Sequence, residues 1–351
     1  MLSSLSSNVV LAKARAKYGK RLKEKDYRNL LDCKSVAEVA AYLKANTDYH
    51  DVLTGINEYD IHRGQLEVLI KQKLFYNLSS FVRYELSVGE QLADYVIARA
   101  EIEEILDALM LMSAGRQEEY SQAAPLYLAK HTKIHMEQFS SIQTYGEFLD
   151  ALGSSVYRRL LAPFEPKPGE PVDVFAVENQ LYSYLFSHVQ EIIDHRVRGK
   201  TKKEVRELFQ GYIDLETYAR IIRMKKRFRA HPEFIEKNLL PFGSLKPKQL
   251  NALIHAETAN QAAAIFRTTS RGKKTANVEY NFVDELAQRI KFISGKHYIH
   301  FSSHPPVVLL SYIFLADTEV HNITTIVEGI RYQVSVDDIK KLLILPTDKA
   351  G

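Results

Sequence analysis

The sequence predicts an all-α fold made of three similar helical-bundle repeats, and three observations lead there. Only 15 glycines and 11 prolines occur in 351 residues, so the chain carries little of the turn material that a sandwich or barrel requires. Hydrophobic residues at 46% and charged residues at 26% match an ordinary folded globule and exclude a disordered or collagen-like chain. Three kinds of helical segment recur, each three times and always in the same order, which marks an internally repeated architecture.

The first segment is a capped short helix. SVAEVAAYL from Ser35, TYGEFLDAL from Thr144 and TANQAAAIF from Thr258 each open on a hydroxyl residue and place Glu38, Glu147 or Gln261 three positions later. That is the capping box, in which the hydroxyl accepts from the third helical amide and the longer side chain reaches back to the cap. The apolar residues fall at shared offsets: Val36, Val39, Ala40, Tyr42 and Leu43, then Tyr145, Phe148, Leu149, Ala151 and Leu152, then Ala259, Ala262, Ala263, Ile265 and Phe266. One helix face is drawn three times.

The second segment is a long amphipathic helix. Leu66, Ile70, Leu74, Leu78 and Phe81 share their spacing with Val177, Leu181, Leu185, Val189 and Ile192, and with Val278, Phe282, Leu286, Ile290 and Ile293. An acid follows the first apolar residue each time, Glu67, Glu178 and Glu279. It is expected in the first helical turn, where the macrodipole favours negative charge.

The third segment is an acid followed by a narrow apolar stripe. It reads Glu101, Ile102, Ile105, Ala108, Leu109, then Asp214, Leu215, Tyr218, Ile221, Ile222, then Glu319, Val320, Ile323, Ile326, Val327. The gaps between segments set repeats at residues 1–117, 118–231 and 232–351. The stretch PFEPKPGEPVD, from Pro163 to Asp173, falls inside the second repeat and reads as an exposed connection between helices.

Several kinds of chemistry are missing. None of Gly199-Lys200-Thr201, Gly272-Lys273 and Gly295-Lys296 has a glycine five residues before its Gly-Lys pair, the positions being Asp194, Arg267 and Ile290, so no loop cradles a nucleotide phosphate. No G-x-S-x-G elbow or G-x-G-x-x-G turn occurs. His131 and His135 stand at i and i+4 without an intervening glutamate, and His297, His300 and His304 flank an aromatic stretch; both groups read as surface or hydrogen-bonded histidines rather than metal ligands. Cys33 has no partner for a disulfide and reads as a half-buried thiol that suits a reducing compartment. Phe75, Tyr76, Phe81 and Tyr84 read as helix-packing aromatics. No catalytic residue, cofactor site, metal site or small-molecule substrate is expected. The longest apolar stretch, Val307 to Ala316 with one serine, is half of the ~20 residues a spanning helix needs, and the N-terminus lacks the long apolar core of a secretory signal.

Charge gives the one candidate contact. The balance of 47 basic and 43 acidic residues is too even for a nucleic-acid coat. Locally, Arg220, Arg223, Lys225, Lys226, Arg227 and Arg229 stand within ten residues, with no acid among them. They are the candidate partner interface, for an anionic surface or an acidic protein, weighed against a solvated basic face at a helix C-terminus.

The N-terminal NVVLAKARAKYGKRL, the segment LLDCKSVAEVAAYLKANTDYHDVL and the C-terminal EVHNITTIVEGIRYQVSVDDIKKLLI, set in a triplicated helical chain, resemble the rotary V-type ATPase family whose members are termed C in bacteria and archaea and d in eukaryotes. One departure is that the asparagine of the third segment stands only at Asn322, with Glu104 and Thr217 at the matching positions. The resemblance implies a funnel of three helical domains with approximate three-fold pseudo-symmetry. It implies a non-catalytic part on the cytoplasmic face of the membrane that joins the central shaft subunits to the membrane rotor ring and couples ATP hydrolysis or synthesis to H+ or Na+ transport. A helical-repeat scaffold for another protein or an anionic surface is the alternative.

Overall fold

The computed structural model describes residues 2–82, 89–122, 124–240 and 242–345, and Tyr84 lies outside them. Among the described residues the chain is helical throughout, without a strand. It begins with α1 (Leu2–Gly19), the short α2 (Glu24–Asp32), α3 (Val36–Asn46) and α4 (His50–Leu53), then the long α5 (Arg63–Val82) and α6 (Gly89–Ser113). Two 3-10 turns precede α7 (Tyr145–Ala151) and α8 (Val156–Leu161), which are followed by the long α9 (Val174–His195) and α10 (Gly199–Arg223). Then come α11 (Pro232–Lys237), α12 (Pro247–His255), α13 (Ala259–Thr268), α14 (Ser270–Lys274), the long α15 (Val283–Phe301) and α16 (Pro305–Arg331), and finally α17 (Val336–Leu342). Between α1 at the start and α17 at the end, short helices are followed by a long pair three times. Of the expected connection from Pro163 to Asp173, Pro163 and Phe164 belong to a 3-10 turn after α8, and residues 165–173 are mostly exposed.

The three caps are built alike. Ser35, Thr144 and Thr258 accept from the amides of Glu38, Glu147 and Gln261. The return bonds come from the amides of Lys34, Gln143 and Glu257, each the residue before the cap, to the Glu38, Glu147 and Gln261 side chains at 2.7 Å. One amide of the first turn and the amide that leads into the cap are thus satisfied at each helix.

The third segment also behaves as expected, with every apolar residue of the three stripes buried except the half-buried Val320. The acid that heads each stripe is a hub. Glu101 accepts from Thr132 Oγ1 at 2.5 Å and Tyr157 OH at 2.8 Å. Asp214 accepts from Ser244 Oγ at 2.5 Å, the Ser244 amide at 2.6 Å, the Leu245 amide at 3.1 Å and Arg271 Nε at 3.3 Å. Glu319 accepts from the Leu22 amide at 2.6 Å and Tyr49 OH at 2.9 Å. The first two acids therefore bind the short-helix region that follows them in the chain, and the third binds the one at the chain's beginning.

The long-helix expectation holds for two copies of three. Leu66, Ile70, Leu78 and Phe81 of α5 are buried with Leu74 half-buried, and Val177, Leu181, Leu185, Val189 and Ile192 of α9 are all buried. In the third copy only Leu286 is buried. Val278 and Phe282 precede α15, and Ile293 is 50% exposed. The buried face is instead Leu286, Ala287, Lys291, Gly295 and Ile299. Gly295 makes this possible, because a Cβ there would stand 3.1 Å from Leu315 Cγ and 3.3 Å from the Ser311 carbonyl of α16. The acids also fall elsewhere than expected. α5 and α9 begin four residues before Glu67 and Glu178, leaving no acid in either first turn. Glu67 pairs with Arg63 at 3.2 Å, and Glu279 lies outside the helix.

The chain packs as two compact units, each discontinuous: Met1–Arg15 with Val189–Thr318, and Ala16–His188 with Glu319–Gly351. In the second, one core combines Leu22, Leu30, Val39, Leu43 and Leu66 with Ile323, Ile326, Val327, Ile339 and Leu343. The two ends of the sequence thus share a hydrophobic interior. Asn322 is its polar pin, giving Nδ2–H to the Ile344 carbonyl at 2.8 Å and taking the Ile344 amide at 2.9 Å. At the matching position Glu104 accepts from Tyr120 OH at 2.8 Å.

Burial raises Glu104 to about 7, against which Lys71 and the Tyr120 hydroxyl pull it down. The folded chain then holds this proton at pH values where the unfolded chain, titrating near 4.5, has lost it. Its contribution to stability therefore falls as pH rises from about 4.5 to about 7 and is flat above. Glu104→Gln, whose amide oxygen can still accept from Tyr120, should remove that slope. In urea titrations the variant should gain on the order of 2–3 kcal/mol over wild type between pH 5 and 8; parallel pH curves would refute the assignment.

Candidate partner-binding surface

The six cations of the basic run leave the end of α10 in two groups. Arg220, Arg223 and Lys225 are consumed by the protein. Arg220 donates to the Asn238 carbonyl at 3.4 Å, and Arg223 pairs with Asp284 at 3.3 Å, an acid that α15 brings from 61 residues away in sequence (284 − 223). Lys225 donates to the carbonyls of Ile254 and Ala256, both at 2.6 Å. These lie at the C-terminus of α12, so the ammonium caps a helix end whose carbonyls carry partial negative charge. Burial pushes this ammonium below its usual value.

The second group is free of such duties. Lys226, Arg227 and Arg229 are exposed and enter no ion pair among the described residues. Phe228 stands between them at 73% exposure. Counting charge in the sequence could not separate the two groups, because the partners lie on α11, α12 and α15. Phe228 was visible in the string as an aromatic within a cation run, and a search restricted to charge passes over it.

The split predicts unequal mutational costs. Lys225→Ala should lower stability by about 1–2 kcal/mol by uncovering two carbonyls, whereas Lys226→Ala should stay within about 0.5 kcal/mol. Denaturant midpoints of the two variants check this, and equal costs would contradict the division.

The remaining polar features do not compete with this surface. A cleft of about 400 Å³ between α10, α14 and α15 is lined by Glu207, Arg271, Lys274, Ile293, His297 and Tyr298. Its cations are matched by acids, Lys274 by Glu207 at 2.7 Å and Arg271 by Asp214 at 3.3 Å. His131 lays its ring 5.2 Å from that of Phe75, and His135 stands 3.6 Å from Glu137. Among the described residues no three His, Cys, Asp or Glu side chains gather as metal ligands would. The half-buried Cys33 thiol donates to the Asn29 carbonyl at 3.4 Å. No described helix is long and apolar enough to cross a membrane.

Comparison with known proteins points one way. The sequence model of a family described as "ATP synthase (C/AC39) subunit" matches residues 10–342. The C subunit of the A-type ATP synthase of Methanosarcina acetivorans is 26% identical over 300 residues, covering 81% of this chain and 72% of that protein. Its counterpart in the A-type ATP synthase of Methanosarcina mazei is 23% identical over 360 residues, covering 97% and 94%.

Proposed function

Because the chain belongs to the C/AC39 subunit family of ATP synthases, we propose that it is a non-catalytic rotor part of a V-type or A-type ATPase. In this reading it sits peripherally on the cytoplasmic face of the membrane. It receives the central shaft subunits, rests on the membrane rotor ring, and passes rotation between ATP hydrolysis or synthesis and H+ or Na+ transport. The repeats 1–117, 118–231 and 232–351 form a funnel with approximate three-fold pseudo-symmetry around the shaft. The observation that carries the reading is the family match along nearly the whole chain.

A socket must hold without slipping. Moving one charge against 100 mV takes about 2.3 kcal/mol, while a nanomolar interface holds roughly 12 kcal/mol. Contacts of ordinary size to shaft and ring can bear that load. Arg220, Arg223, Lys225, Lys226, Arg227 and Arg229 belong to the partner-facing end of the first unit. Within that set Lys226, Arg227 and Arg229 make the contact, and the other three hold the end of α10 in place.

The reading is tested by isolating the chain from detergent-solubilised membranes. One copy is expected to travel with the shaft and the ring, and its removal should leave ATP hydrolysis uncoupled from ion movement. Recovery of the chain free of every ATPase subunit would overturn the socket and leave the scaffold.

A further inference from the structure

The exposed cations sit on a built tip. α10 ends at Arg223, and Met224–Phe228 continue it as a π-helical turn. Such wide turns in helices recur at functional sites. Met224 is buried and anchors the turn, its carbonyl accepting from the amides of both Arg229 and Ala230. Arg229 is left-handed, with φ 46° and ψ 40°, a conformation that glycine adopts freely and side chains rarely do. A cation is therefore kept where the backbone favours glycine. Strain of this kind points to work done by the side chain.

What the tip offers is an exposed aromatic ring with cations on both sides in sequence, Lys226 and Arg227 before Phe228 and Arg229 after it. Asp284, the acid that pairs with the end of α10, is taken by Arg223, and the next acid along the chain is Glu233. An acidic protein surface would satisfy the cations but would need an apolar pocket shaped to Phe228 to cover the ring. A lipid leaflet accounts for both, since aromatic rings enter the boundary between headgroups and acyl chains while Lys and Arg remain among anionic headgroups.

We propose that the Lys226–Arg229 tip is a membrane-surface contact, in which Phe228 enters the headgroup boundary of an anionic leaflet and Lys226, Arg227 and Arg229 bind its phosphate groups. This rests on the reading that these cations form a partner surface, and it names an anionic lipid bilayer as the partner.

The test is flotation of the full chain with vesicles of three parts phosphatidylcholine to one part phosphatidylglycerol, against vesicles of phosphatidylcholine alone. Wild type is expected to float only with the anionic vesicles. Each cation removed should weaken binding roughly fivefold, so that K226A/R227A/R229A loses about a hundredfold, and F228S should lose about tenfold. K130A/K133A, which removes exposed cations elsewhere, should bind as wild type does. R229G separates contact from folding, because it relieves the left-handed backbone: its thermal midpoint should rise while vesicle binding falls. Equal flotation of wild type and K226A/R227A/R229A, or equal losses in K226A/R227A/R229A and K130A/K133A, would overturn the proposal. Co-purification with ATPase subunits is scored in parallel. A K226A/R227A/R229A chain that floats normally but no longer joins its complex would make the tip a protein contact, ending the lipid assignment and keeping the surface. One that floats and assembles normally would end both.

Discussion

Replacing Asp214 with alanine is expected to cost about 3–5 kcal/mol of unfolding free energy, as removal of one partner from a buried ion pair does. Asp214 is 1% exposed and the Arg271 side chain is 14% exposed, so the guanidinium is left with little water to replace the carboxylate. The same change removes the acceptor of the Ser244 and Leu245 amides and of the Ser244 hydroxyl, which adds less, because Ser244 is exposed and water can take the place of the carboxylate there. Gly243 belongs to this arrangement, because a Cβ there would stand 2.4 Å from Asp214 Oδ1. The comparison is Asp284→Ala, which breaks the more open pair with Arg223 and should cost less than about 1 kcal/mol. Denaturant unfolding monitored by far-UV circular dichroism measures both. A loss below about 1 kcal/mol for Asp214→Ala would mean that Asp214 is not a hub.

The second large effect is expected at the opposite end of the chain from where it is read. Ile339→Ala and Leu343→Ala each remove a side chain exposed by 2% or less and should each cost about 2–5 kcal/mol. Ile339 closes tightly on α16, where a Cβ on Gly329 would lie 2.4 Å from its Cδ1. Because this core also holds Leu22, Leu30, Val39 and Leu43, hydrogen exchange should accelerate in α2 and α3, some 300 residues earlier (339 − 39 = 300). Acceleration confined to α16 and α17 would show that the two ends do not share one cooperative core.

Where local chemistry decides the structure, the sequence was readable. The hydroxyl and the Glu or Gln of each capping box make their bonds within five residues, so Ser35, Thr144 and Thr258 announce their helices without tertiary help. The stripes headed by Glu101, Asp214 and Glu319 were readable because α6, α10 and α16 bury a simple apolar face. The buried face of α15 departs from the expected one because it uses Ala287 and Gly295 for close approach and Lys291 paired with Asp317 at 3.2 Å, none of which belongs to a pattern of large apolar residues. The hub partners gave no signal at all. A backbone amide at Leu22 or Ser244 has no sequence signature, and only the fold selects it. Of the candidate surface, the run of charge was legible, but the division between Lys225 and Lys226 was not, since it depends on where α12 ends.

The bond from the Leu22 amide to Glu319 spans 297 residues, and that separation sets a timetable for synthesis. α2 and α3 leave the ribosome some 300 residues before α17, so their core lacks Ile323, Ile326, Val327, Ile339 and Leu343 until α16 and α17 are made (339 − 39 = 300). At 5–20 residues per second the wait is roughly 15 to 60 s. During it Leu30, Leu31, Val39 and Leu43 have no native cover from the C-terminal helices. A nascent chain stalled before α16 should therefore remain open to proteases in residues 22–53, and holding chaperones should be needed for α2 and α3 rather than for α16 and α17.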